Sequence, residues 1–176
     1  MKYFVSILIV IFSVVLETSF FSNLKSLLIV TPNIILVVLF SWVLIGKHKN
    51  AYVGALVGGL LIDIYSGVMF GTTALALLLV TFLAAVILKK FISIENIFSR
   101  IISIFLVTII FKIIFLVFVV IFSFIRIFPF SVNFSGSFFA NWFIEASLSS
   151  LLITMIFPFI VTLNKFIVRY EAKQGI

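Results

Sequence analysis

The stretch GALVGGLLIDIYSGVMFG, Gly54 to Gly71, is apolar enough for a bilayer, yet it carries a carboxylate, Asp63, and five glycines. Residues four apart on a helix share a face, so Ala51, Ala55, Gly59 and Asp63 make one stripe and Gly54 and Gly58 lie on the next. Small residues let helix backbones approach closely in lipid, where packing and hydrogen bonds hold helices together. A carboxylate on that side faces protein instead of acyl chains. The stretch therefore predicts a helix seated against neighbours, and its glycine face serves either the bundle itself or a partner helix.

Composition extends this reading to the whole chain. Hydrophobic residues make up 65% of the 176 positions and charged residues 10%, with a mean hydropathy of +1.47. That is more apolar surface than one soluble core can bury. Segments of alternating polarity separated by turns, the mark of an outer-membrane barrel, are absent, so the chain reads as an all-α integral membrane protein. The absence of cysteine rules out disulfides and thiolate metal sites.

Six apolar runs of about 15 to 25 residues approach the roughly 20 needed to cross a hydrocarbon core. They are Tyr3 to Phe21, Leu27 to Ile45, Ala51 to Tyr65, Thr72 to Leu88, Ile101 to Ile125 and Asn141 to Leu163. The first lacks a small-residue exit after its apolar stretch and runs on to Glu17, so it reads as a retained helix and not a signal peptide. The expected architecture is a single six-helix transmembrane domain over residues 1–176.

Basic residues set the expected orientation. With the amino terminus in the cytoplasm, the inner side holds Lys2, Lys47, Lys49, Lys89, Lys90, Arg100, Lys165, Arg169 and Lys173, and the outer side only Lys25 and Arg126. Both termini are then cytoplasmic. This topology and attraction to anionic membrane lipid account for the formal charge of +7, with no call for nucleic acid. Trp42 and Trp142 fall near helix ends, where indoles favour the interface. His48, between Lys47 and Lys49, reads as a solvated loop residue. The Phe-rich segment from Arg126 to Trp142, broken by Pro129 and Gly136, reads as lying along the outer surface.

The third run has about 15 residues, roughly 22 Å of helix, short for a crossing. Its following turn, with Gly67 and Gly71, is therefore expected to be buried at membrane depth, with Thr72 or Thr73 capping the next helix. The other intramembrane charges repeat the pattern of Asp63. Ser6, Val10, Ser13 and Glu17 share one face of the first helix, Thr108 stands beside Lys112, and Asn141, Glu145 and Ser149 align on the last. Counted from the inner ends, Asp63, Lys112 and Glu17 come to depths of about 18, 17 and 21 Å. Glu17, Asp63, Lys112 and Glu145 are thus expected to form a polar layer in the outer half, with Asp63 paired to Lys112 and with Glu145, close to the outer start of its helix, sitting higher, near Arg126 and Lys25.

No catalytic constellation emerges, and no metal or cofactor set. There is no nucleophile elbow, no phosphate loop and only one histidine. Pro32 and Asn33, followed by Gly54, Gly58, Gly59, Leu60, Asp63, Gly67, Gly71 and Ala74, resemble the pattern of the MreD family of bacterial rod shape-determining proteins. Asn33 stands where that pattern frequently has aspartate. The resemblance implies a non-enzymatic scaffold in the bacterial cytoplasmic (inner) membrane, within the machinery that elongates the side wall. It implies as partner MreC, a protein with a single membrane helix, with MreB, RodA and a penicillin-binding transpeptidase in the same assembly. An alternative is the substrate-binding membrane subunit of an energy-coupling-factor vitamin transporter, similar in size and helix number. Such subunits typically carry Ala-x-x-x-Ala in their first helix, and VSILIVIFSVVLE has no alanine.

Overall fold

A computed structural model describes residues 2–20, 30–67, 69–88, 96–124 and 136–174. These residues form six helices and no strand. Helix α1, Lys2–Val15, continues through a π-helical turn, Leu16–Phe20; α2 is Ile34–Leu44, and α3 is His48–Ser66. Helix α4, Thr72–Leu83, ends in a second π-helical turn, Ala84–Leu88, and is followed by α5, Ile97–Phe124, and α6, Gly136–Gln174. Two stretches, Ile97–Phe124 and Phe139–Phe166, are long and apolar enough to cross a membrane by themselves.

Helix α2 is apolar on every side, and all 11 of its residues are buried. A helix without a polar face belongs at the centre of a bundle, and α2 touches each of the other five. It is shorter than the run Leu27 to Ile45 suggests. Pro32 lacks an N–H and holds the preceding residue in extended backbone, and Asn33 then starts the helix, its Oδ1 accepting from Leu36 N at 2.9 Å. At the other end Gly46 takes φ +82°. Lys47 N donates to Trp42 O at 2.9 Å and Gly46 N to Val43 O at 3.0 Å, which closes the helix and turns the chain straight into α3.

Helix α3 corrects the expectation of a short third helix. It has 19 residues, about 28 Å, because Lys47 is its N-cap and His48, Lys49 and Asn50 form its first turn. His48 is thus the first helical residue, half-buried, and not a solvated loop residue. The turn that follows is not buried either. Gly67 and Phe70 are exposed, and a Cβ at Gly67 or Gly71 would meet nothing.

The small-residue stripe is buried as its spacing predicts, with Ala51, Ala55, Gly59 and Asp63 all inside. Its purpose is visible at Gly59, where a Cβ would overlap the backbone of Ala74 on α4. Gly54 packs under Leu39, Trp42 and Val10, and Gly58 under Ile35 and Val10. The glycine face is therefore filled by α1 and α2 and is not open to a partner helix. Trp42 is accordingly core, 4% exposed, and not an interfacial indole.

Helices α5 and α6 run antiparallel. Lys112 meets Glu145 and, equally spaced along both helices, the Arg100 guanidinium lies 4.5 Å from the centre of the Phe157 ring. Lys25, Lys89, Lys90, Arg126 and the outer segment around Pro129 lie outside the described residues.

Candidate functional site

Glu17, Asp63, Lys112 and Glu145 gather near the starts of α2 and α4. Glu17 lies in the π-helical turn that ends α1, and its Oε2 accepts from Ile35 N at 3.2 Å. Together with the Asn33 cap, this places an acceptor and an anion at the amino end of α2, where unpaired N–H groups and the helix dipole favour negative charge. Asn33 N in turn donates to the Ser149 hydroxyl of α6 at 3.3 Å. One short stretch of α2 is thereby tied to α1 and α6.

Asp63 does the equivalent for α4. Its Oδ2 accepts from Gly71 N at 2.9 Å and Ala74 N at 3.3 Å, and its Oδ1 from Thr73 N at 2.9 Å. The N-cap residue, Gly71, has no side chain with which to cap. The carboxylate of the preceding helix supplies that acceptor across the turn, while Thr72 Oγ1 donates to Met69 O at 2.7 Å. Neither threonine is the cap, which corrects the expectation from sequence.

The pairing of Asp63 with Lys112 is also corrected. Lys112 Nζ bonds Glu145 Oε2 at 2.8 Å, with both side chains mostly buried. Equal depth, counted along two helices, says nothing about which face points at which neighbour. Helix α5 turns Lys112 toward α6, and three amides already occupy Asp63.

Glu17, Asn33, Thr73, Lys112 and Glu145 line one cleft of about 190 Å³, walled on its apolar side by Ile62, Phe111 and Phe115. Thr31 and Ser66 complete its rim. Among the described residues no three of His, Cys, Asp and Glu stand together as a metal site would need.

A model described as rod shape-determining protein MreD matches residues 1–167. The chain belongs to the MreD family. Neither a curated protein nor a solved structure matches it. The MreD family consists of membrane proteins involved in determining rod shape and is not a known enzyme family.

In this MreD-family chain, the motif from Pro32 to Ala74 maps onto contacts between helices. Pro32 and Asn33 start α2, Gly54 and Gly58 seat α3 on α1 and α2, Gly59 meets Ala74, and Asp63 caps α4. Gly67 and Gly71, both at positive φ, bracket the α3 to α4 turn. Of the four residues expected in the polar layer, three line the cleft; Asp63 stands behind it, holding Thr73 in place. Sequence reasoning missed Thr31 and Ser66 as lining residues, and it assigned Thr73 to capping. Each is a small hydroxyl residue at a helix end, where turn chemistry alone accounts for its presence.

Proposed function

We propose that the chain is a non-enzymatic scaffold of the cell-wall elongation machinery, a multi-pass protein of the bacterial inner membrane with both termini cytoplasmic. It holds a single-span, MreC-like partner by lateral helix contact, in an assembly that includes MreB, RodA and a penicillin-binding transpeptidase. The observation that carries this reading is how the side chains are distributed. The described acidic groups of the membrane segments are used inside the chain, whereas large apolar residues such as Phe12, Phe82, Leu151, Met155 and Phe159 face outward. A protein built this way offers its neighbours lipid-facing helix surfaces. The transporter alternative is disfavoured by the cleft, whose 190 Å³ falls below the roughly 300–1,000 Å³ of sites that enclose a whole small molecule.

Depletion of the protein from rod-shaped cells is expected to make them round, and a single-span protein with an external domain is expected to copurify in mild detergent. Cells that remain rods but no longer import a vitamin would decide for the transporter.

Orientation has its own check, motivated by the excess of basic residues on the proposed inner side. Cysteines at Lys49 and Asn96, both exposed, should resist an impermeant thiol reagent in intact cells, and one at Phe70 should react. The reverse pattern would invert the topology.

A further inference from the structure

Hydroxyls in this bundle mostly satisfy themselves within their own helix. Ser13, Ser41, Thr81, Thr108 and Ser150 each donate to the carbonyl four residues back. Two side chains that line the polar cleft do otherwise, although both are more than nine-tenths buried: Thr73 is 5% exposed and Asn33 7%. The Asn33 carbonyl oxygen and the Thr73 backbone N–H are engaged in capping. The Asn33 amide nitrogen and the Thr73 hydroxyl, however, have no hydrogen bond to any described residue, and both open onto the cleft. Both residues are buried as a whole, yet these two groups stay accessible from the cleft and are free to bond whatever enters it.

The charge balance says what that something carries. Glu145 is neutralised by Lys112, and Asp63 is spent on three amides of α4. Glu17 sits on the backbone amides of Ile34 and Ile35 at the start of α2, with Ile35 N on its Oε2 at 3.2 Å, and no cationic side chain among the described residues lies within ion-pair distance of it. The cleft is therefore lined by two acidic side chains, Glu17 and Glu145, and one basic one, Lys112, which leaves one carboxyl for an incoming cation; Phe111, whose ring already has Lys112 Nζ at 6.0 Å, and Phe115 wall the same cleft. The Asn33 amide and the Lys112 ammonium are donors, and they call for an oxygen acceptor.

A volume of about 190 Å³, roughly that of six waters at ~30 Å³ each, admits a headgroup-sized moiety. We propose that the cleft binds a small zwitterion, a primary ammonium a few bonds from an anionic oxygen. The ammonium sits on Glu17, and the oxygen on Asn33, Lys112 and the Thr73 hydroxyl. The ethanolamine headgroup of a phospholipid and a free zwitterion such as phosphoethanolamine share this chemistry.

The test uses the full chain, delipidated in a neutral detergent and offered equal amounts of phosphatidylethanolamine, phosphatidylcholine and phosphatidylglycerol, with retained lipid read by native mass spectrometry. Free phosphoethanolamine is titrated in parallel by thermal shift. Phosphatidylethanolamine should be retained about tenfold over the other two, since a trimethylated nitrogen cannot donate to Glu17 and a glycerol headgroup has no cation. Glu17→Gln should abolish that preference. Because Glu17 also caps α2, Thr73→Val provides a second variant that leaves the Asp63 bond to the Thr73 backbone in place; it should weaken retention roughly threefold.

A thermal shift with phosphoethanolamine, without lipid preference, would identify the free zwitterion as the occupant. Equal retention of all three lipids with no thermal shift would overturn the proposal, as would unchanged preference in folded Glu17→Gln or unchanged retention in Thr73→Val. Partner copurification and cell shape are read separately, so failure here leaves the scaffold reading standing.

Discussion

Lys112→Met is expected to destabilise the bundle by about 3–5 kcal/mol, because it leaves Glu145 as an unpaired acid in a low-dielectric interior. The partner contact is short, 2.8 Å, and Glu145 is only 8% exposed, so without the lysine its carboxylate is left largely desolvated. Glu145→Gln alone should also be damaging, since it strands the ammonium. Changing both removes the charges together, and a buried pair replaced as a unit is often close to neutral. The double variant should therefore recover most of the loss. Thermal retention of the monodisperse peak in mild detergent measures each variant. Losses that simply add across the two sites would show that Lys112 and Glu145 do not depend on one another.

Asp63→Ala should cost on the order of 3 kcal/mol, through the amides of Gly71, Thr73 and Ala74 losing their acceptor at the start of α4. Helix α3 packs closely on α4 at the Gly59 to Ala74 contact, and the cap fixes the turn that sets that contact. Asp63→Asn should fall between wild type and Asp63→Ala, because its one carbonyl oxygen can serve only part of the triad. Combined with Lys112→Met, Asp63→Ala should be additive. Rescue of Asp63→Ala by Lys112→Met would mean instead that the two charges are partners. The same detergent stability measurement, with steady-state level in the membrane beside it, reads both outcomes.

Several parts of the site were legible in the linear chain. The Pro32–Asn33 pair is a helix start signal wherever an apolar run follows, and it works here through Asn33 Oδ1. The stripe from Ala51 to Asp63 is likewise a matter of helical period. The length of α3 was not legible, because a polar run such as Lys47 to Asn50 reads as a loop by hydropathy, yet backbone hydrogen bonds extend the helix into it: Ala51 N donates to Lys47 O at 3.1 Å. Nor was the π-helical turn that carries Glu17, since no residue pattern marks where a helix widens.

That this chain is a helical membrane protein and that α3 buries its glycine side could be read from the linear chain, because each follows from composition or from a period of 3.6 residues; that Glu145 comes down to Lys112, instead of sitting above it, could not. Which charge meets which was decided by the tertiary structure alone. Periodicity gives the side of a helix a residue occupies, but rotation about the helix axis against its neighbours is set by packing. That rotation turns Lys112 to Glu145, brings Glu17 to the start of α2, and leaves Asp63 to the amides of α4.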